Sequence, residues 1–188
     1  MGTIRARLTH MGLYVHDFER MIGFYSEVLG LVLADRGPGR APGTEMAFMT
    51  ADPACHHQVV LISGRPSTEG YNPINQISFT VGSLAELRAV RDRALARGAT
   101  ALRQVSHGNA WSIYFADPEG NTLEAYLDTP FHVPQPHGEA LDLDQPDAAI
   151  LAATEAACRA DPGFLPRAAY VHRVAERLGA APAVSEPV

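Results

Sequence analysis

The chain of 188 residues holds only two cysteines, Cys55 and Cys158, and no pair at CxxC spacing. That scarcity fits a reducing cytosol better than a disulfide framework. Positive charge is also in short supply: 15 basic side chains face 21 acidic ones, for a net charge of -6. The basic residues are scattered and form no stripe, which argues against a nucleic-acid partner. No apolar run is long enough to cross a bilayer. Arg5 and Arg7 are followed by no sustained apolar stretch of the kind a signal peptide needs. Ala6 stands where N-terminal acylation requires Ser or Thr. Together these absences predict a soluble cytoplasmic protein with no membrane partner. An apolar fraction of 46% is ordinary for a globular chain, so a sizeable interior can be buried.

What the chain does have is a repeat. Thr9-His10-Met11-Gly12-Leu13-Tyr14-Val15 opens one copy and Asn75-Gln76-Ile77-Ser78-Phe79-Thr80-Val81 the other, and each leads into a helical pattern. Each copy later reaches an Asp-Pro turn, Asp52-Pro53 or Asp117-Pro118, that introduces a final strand. In the first copy the pattern predicts a strand over 8–15 and a helix capped by Asp17 and stopped by Gly30. A strand begins over 31–34, the Gly- and Pro-rich residues 36–43 read as a turn, and strands follow over 45–50 and 57–62. Residues 63–73 read as a linker.

The second copy predicts a strand over 74–81 and a helix from Ser83 to Gly98, with Glu86 three residues after the cap. Leu84, Leu87, Val90 and Leu95 give that helix its apolar face. A strand over 100–105 and a hairpin of 110–116 with 121–127 complete the copy. Beyond Asp128, prolines at 130, 134, 136 and 146 predict an extended arm that cannot be a sheet interior. Helices over 147–159 and 166–178 and a loose Ala-Pro end follow. The fold class predicted is α+β: paired βαβββ units over 5–63 and 73–128, then an arm and C-terminal helices over 129–188.

Residues two apart in a strand share a face. Met11, Leu13 and Val15 make one apolar face, and Ile77, Phe79 and Val81 make its counterpart. His10 and Gln76, equivalent in the two copies, project from the opposite faces. Glu124 interrupts an otherwise apolar strand, in parity with Thr122 and Tyr126. If the strands curl around a hollow, His10, Gln76 and Glu124 converge in it as a divalent-cation site. Plainer readings stand beside this one. His10 can be a partly exposed side chain, Gln76 a hydrogen-bonding amide, and Glu124 the partner of an arginine, since an unpaired buried carboxylate costs several kcal/mol. His16, His132, His137 and His172 fit no partner pattern and read as surface or tail residues.

Phe24-Tyr25-Ser26-Glu27-Val28-Leu29-Gly30-Leu31 and Tyr114-Phe115-Ala116-Asp117-Pro118-Glu119-Gly120-Asn121-Thr122-Leu123-Glu124 resemble the vicinal oxygen chelate superfamily. Glyoxalase I, bleomycin-resistance proteins, fosfomycin-resistance enzymes and type I extradiol dioxygenases belong to it. The resemblance covers about residues 5–128 and implies an open, eight-stranded, barrel-like cup. It is closest to the extradiol ring-cleavage dioxygenases. That pattern implies metal ligands at His10, Gln76 and Glu124, holding Fe(II), or else Mn(II) or another divalent cation.

The same pattern implies His57, from the pair His56-His57, as the acid-base group, with Tyr114 ten residues before Glu124 as a second catalytic side chain. His107, on the loop into the hairpin, matches a further histidine approximately. Gln76 departs from the pattern, which has His there, and an amide oxygen binds a divalent cation more weakly than imidazole does. Glyoxalase I instead carries a metal-binding Glu in the last strand of its first unit, where this chain has only Gln58-Val59-Val60-Leu61-Ile62.

The implied activity is cleavage of a catecholic ring with O2; a homodimer is expected, though no residue pattern points to it. The alternatives are another metal-dependent member (an isomerase, epimerase or thiol transferase) and a metal-free protein that binds a small aromatic or antibiotic.

Overall fold

A computed structural model describes residues 4–180, so the loose end expected beyond them lies outside the described residues. The chain divides into two units. One holds the residues up to Pro73 together with the turn Asp117–Asn121; the other holds Ile74–Ala116 and the chain from Thr122 onward.

The first unit runs β1 (Met11–Val15), α1 (Phe18–Leu29), β2 (Val32–Pro38), β3 (Glu45–Thr50) and β4 (Val59–Ser63). Its sheet has the order β1-β4-β3-β2, with β1 and β4 parallel and the other neighbours antiparallel. The helix begins where the Asp17 side chain accepts the Arg20 N–H and ends at Gly30, whose φ of 72° suits glycine. Met21, Phe24, Tyr25 and Val28 of α1 are buried, as are Val15, Ala47, Met49, Val59 and Leu61 on the sheet face of opposite parity to His10. Each of the Val, Leu, Phe and Met side chains among them contributes about 1.5–3 kcal/mol by leaving water.

The turn Asp117–Asn121 completes this unit as a polar anchor. The Glu119 carboxylate, 5% exposed, accepts the N–H groups of His16 and Asp17 at 2.7 and 2.8 Å and pairs with Arg65 at 3.2 Å. It thereby places negative charge at the start of α1, where the helix dipole favours it. Asp117 accepts from Asn121 at 2.8 Å and from the Tyr25 hydroxyl at 3.3 Å.

The second unit runs β5 (Ile77–Thr80), α2 (Leu84–Ala96), β6 (Thr100–Ser106), β7 (Ala110–Ala116) and β8 (Thr122–Asp128). It continues with β9 (Phe131–His132), β10 (Glu139–Ala140), α3 (Asp147–Ala160), β11 (Leu165–Pro166) and α4 (Arg167–Leu178). Its sheet has the order β10-β6-β7-β8-β5, and a small pair β11-β9 stands apart. Both copies are therefore βαβββ units, as the repeat predicts. The arm after Asp128 adds only short strands, one of them at the sheet edge, as its prolines require. Trp111 on β7 donates its indole N–H to Thr154 on α3 at 2.8 Å, tying the helix to the sheet. No helix among the described residues is long and apolar enough to cross a membrane.

Four local expectations are corrected. β2 runs through Arg36 and Gly37 to Pro38, although these residues read as a turn. It is an edge strand, so Pro38 at its end disrupts no central ladder, and Arg36 is held by Glu19 at 2.6 Å and Glu45 at 2.9 Å. β4 starts at Val59, so His56 and His57 lie in the preceding turn and not on alternating strand faces. Leu95 is 51% exposed, and Ala94 takes the core position in its place. His132 is half-buried and stacks on Tyr170 at 3.7 Å, and His137 is half-buried as well.

Candidate functional site

In the second unit, strand register assembles the polar cluster. Glu124 lies opposite Tyr114 across the β7-β8 hairpin and opposite Ser78 on the parallel strand β5. Directly opposed side chains start about 5 Å apart, so the ten-residue spacing of Tyr114 and Glu124 is the arithmetic of one hairpin pair. Glu124 accepts from the Ser78 hydroxyl at 2.5 Å and from the Gln76 amide at 2.9 Å. Burial pushes the Glu124 carboxyl up, but hydrogen bonds of Ser78 and Tyr114 outweigh it and leave the group below the usual carboxylate range. Burial, then donation to Glu124, pushes the Tyr114 hydroxyl up to about 12. Arg103 stacks over the Tyr114 ring at 4.6 Å.

His107 extends this line. Its Nε2 meets the Tyr114 hydroxyl at 2.8 Å and its Nδ1 meets the His137 carbonyl at 2.7 Å. A carbonyl only accepts, so Nδ1 carries a proton there. The extension braces this loop further: Gln135 donates to the His107 carbonyl at 2.8 Å. Gly108 has φ 73°, and a Cβ there would meet Val133 at 2.5 Å, so the loop packs too closely against the arm for any other residue. Ser78, His107, Ser112, Tyr114, Glu124 and Gln135 face a cavity of about 440 Å³.

In the first unit the histidines gather differently. His10 lies just before β1, exposed, with Nδ1 3.0 Å from the Thr9 hydroxyl and its ring 4.4 Å from that of His57. With Nδ1 donating to Thr9, Nε2 of His10 keeps a lone pair for a cation. His57 packs its ring 5.2 Å from Phe48, and its Nδ1 lies 2.9 Å from Nδ1 of His56. Partial burial, followed by the neighbouring His10 and His56, holds His57 below the usual imidazole range, so it is a neutral base near pH 7.

The structure thus gathers Gln76, Glu124, Tyr114 and His107 in one unit, and His10 and His57 in the other. Among the described residues no three His, Cys, Asp or Glu side chains are grouped to hold an ion, so a cation here needs the amide oxygen of Gln76. The donor chemistry fits. The Gln76 amide and the Glu124 carboxylate stand 2.9 Å apart, close to the spacing of about 3 Å between adjacent oxygen ligands whose bonds to a cation are about 2.1 Å. Half a turn of the amide would present its oxygen. The plainer reading of Glu124 as an arginine partner is replaced by this hydroxyl-and-amide cradle. Ser78, Gln135 and Phe48 were not singled out from the sequence. For Ser78 a signal existed, since it shares a strand face with Gln76.

Comparison with known proteins agrees with this architecture. The profile of the Glyoxalase/Bleomycin resistance protein/Dioxygenase superfamily matches residues 7–125. Biphenyl-2,3-diol 1,2-dioxygenase 2 of Rhodococcus globerulus is 27% identical over 130 residues, which cover 67% of this chain and 65% of the relative's length. Biphenyl-2,3-diol 1,2-dioxygenase 3 of the same organism is 29% identical over 155 residues, or 76% of each chain. A solved glyoxylase/bleomycin resistance protein/dioxygenase domain from Frankia sp. EAN1pec superposes with a TM-score of 0.57 at 25% identity, covering 66% of this chain and 99% of that one. With a family match over well more than half its length and the duplicated βαβββ units that the sequence predicts, the chain belongs to the glyoxalase/bleomycin resistance protein/dioxygenase superfamily.

Proposed function

We propose that the protein is a metal-dependent dioxygenase that opens a catecholic ring by extradiol cleavage, inserting both atoms of O2 to give a hydroxymuconic semialdehyde. The observation that carries this reading is the set His107, Tyr114 and Glu124 facing one cavity, with Gln76 hydrogen-bonded to Glu124, in a chain similar to two biphenyl-2,3-diol 1,2-dioxygenases. His10, Gln76 and Glu124 would hold Fe(II), or Mn(II) in its place, which when bound supplies Lewis acidity toward vicinal oxygens and electron relay to O2.

The chain's own residues do the rest. His57, neutral near pH 7, accepts a substrate hydroxyl proton and later returns it. Tyr114 stays protonated, because its hydroxyl is pushed up to about 12, and offers a hydrogen bond to a substrate oxygen. His107, oriented by the His137 carbonyl, holds the Tyr114 hydroxyl in place through Nε2. β4 presents no carboxylate, which separates the site from a glyoxalase I arrangement.

The test is metal analysis of protein purified without chelator, then oxygen uptake with biphenyl-2,3-diol and simpler catechols after Fe(II) loading. Stoichiometric metal and uptake with a ring-opened product are expected; bound metal without uptake rejects the dioxygenase chemistry. A second reading, metal-free binding of a small aromatic, is favoured by one observation: Gln76 donates its amide N–H to Glu124, satisfying the carboxylate without a cation. Absence of metal at any loading, with an aromatic still bound, selects that reading.

A further inference from the structure

The first unit's sheet presents one face to α1 and the other outward. On the outward face, register aligns Tyr14 of β1, Ile62 of β4 and Met46 of β3 in a row, with Gly12, Val60 and Phe48 in the next. The face continues to His57 and His10, whose rings cluster with Phe48. Tyr14, Met46 and Ile62 line a slot of about 240 Å³ that Thr44, Ala41 and Arg40 close from the loop between β2 and β3. That loop is preformed: the Gly39 N–H donates to the Thr44 carbonyl at 2.7 Å, the Thr44 N–H and hydroxyl reach the Ala41 carbonyl, and a Cβ at Gly39 would collide with Thr44.

The slot has apolar walls and a single cation. Arg40 has no carboxylate partner among the described residues, although nearby Arg36 has two and the chain carries a surplus of acids. Tyr14, which lines the slot, keeps 62% of its surface exposed and is accessible to a ligand there. Gly12, between Tyr14 and His10, leaves the floor without a side chain. Four residues separate His10 from Tyr14, so the slot lies about 13 Å along the sheet from the imidazole.

Resting on the reading of His10 as a metal ligand, we infer that this slot receives the far end of an elongated catecholic substrate and selects one that ends in a carboxylate. The tail lies over Gly12, Val60 and Phe48, its methylene or aromatic body against Tyr14, Met46 and Ile62. Arg40 then meets the anion at the slot's edge, where its forked guanidinium donors match two carboxylate oxygens.

Calorimetric titration under nitrogen with 3-(5-carboxypentyl)catechol and its primary amide separates the two halves of the argument. The acid is expected to bind wild type roughly fivefold more tightly than the amide, and Arg40→Gln to bind the two alike. Tyr14→Ala is expected to weaken both ligands by a common factor. Equal binding of acid and amide to wild type, a preference that survives Arg40→Gln, or no measurable binding of either overturns the assignment. Oxygen uptake is followed on the same pair. No uptake with the acid preference intact rejects the dioxygenase reading and leaves the slot standing; uptake with equal kcat/KM for acid and amide rejects the slot and leaves the chemistry.

Discussion

The two βαβββ units share a plan but handle their polar residues in opposite ways. In the second, Glu124 is gripped by Ser78 and Gln76, Tyr114 is set between Glu124 and His107, and the C-terminal extension braces the loop behind them. In the first, the rings of His10 and His57 lie against each other, with Phe48 and His56 beside His57 and a threonine hydroxyl beside His10. Duplication has thus produced one half that fixes a carboxylate in a cradle and another in which His57 is held below the usual imidazole range. A carboxylate below its usual range and a histidine below its own are complementary needs of cation binding and proton transfer.

Substitutions can break this division of labour. The largest effect is expected from Glu124→Gln, which keeps the shape and removes the charge. Metal content and oxygen uptake should fall to background while circular dichroism is unchanged, and full metal occupancy would show that the second unit is not the anchor. His57→Ala should retain metal but lower turnover by about a hundredfold or more, the range typical of a lost acid-base group. Equal metal loss in both variants would erase the distinction between the halves.

A third effect concerns stability. Arg65→Ala leaves the buried Glu119 without its cation and should cost about 3 kcal/mol in urea unfolding. Gln135→Ala removes the donor to the His107 carbonyl and the acceptor of the His137 N–H, and about a fivefold fall in turnover at unchanged metal content is expected. The smallest effect is at alkaline pH. Burial, then the charge of Asp117 and donation to it, pushes the Tyr25 hydroxyl well above its ordinary value of about 10. Above that pH the unfolded chain releases this proton and the folded chain does not, so stability falls as pH rises from there through the folded value. Tyr25→Phe should flatten that decline.

The helices and the hairpin were legible because each rests on local chemistry. Asp17 and Ser83 cap as their positions suggest, and Asp117-Pro118-Glu119-Gly120 turns where it should. Tyr114 and Glu124 were legible as a pair because hairpin register converts sequence spacing into contact. Ser78 and Glu124 are 46 residues apart and meet through a parallel pairing, and no local pattern reports that partner. Gln135 was hidden in a proline-spaced arm that gave no periodicity. Arg36 and Gly37 read as a turn because composition weighs against a strand, yet an edge position and two ion pairs outweigh composition. His57 was expected at the start of a strand over 57–62, but it lies two residues before β4 begins.

The turn Asp117–Asn121 carries a consequence for synthesis. Until residue 121 has left the ribosome, the entrance to α1 lacks the carboxylate that receives His16 and Asp17, and Tyr25 lacks its acceptor. A nascent segment ending at Pro73 is therefore an unfinished fold, and the first unit is completed only once the turn Asp117–Asn121 has been translated.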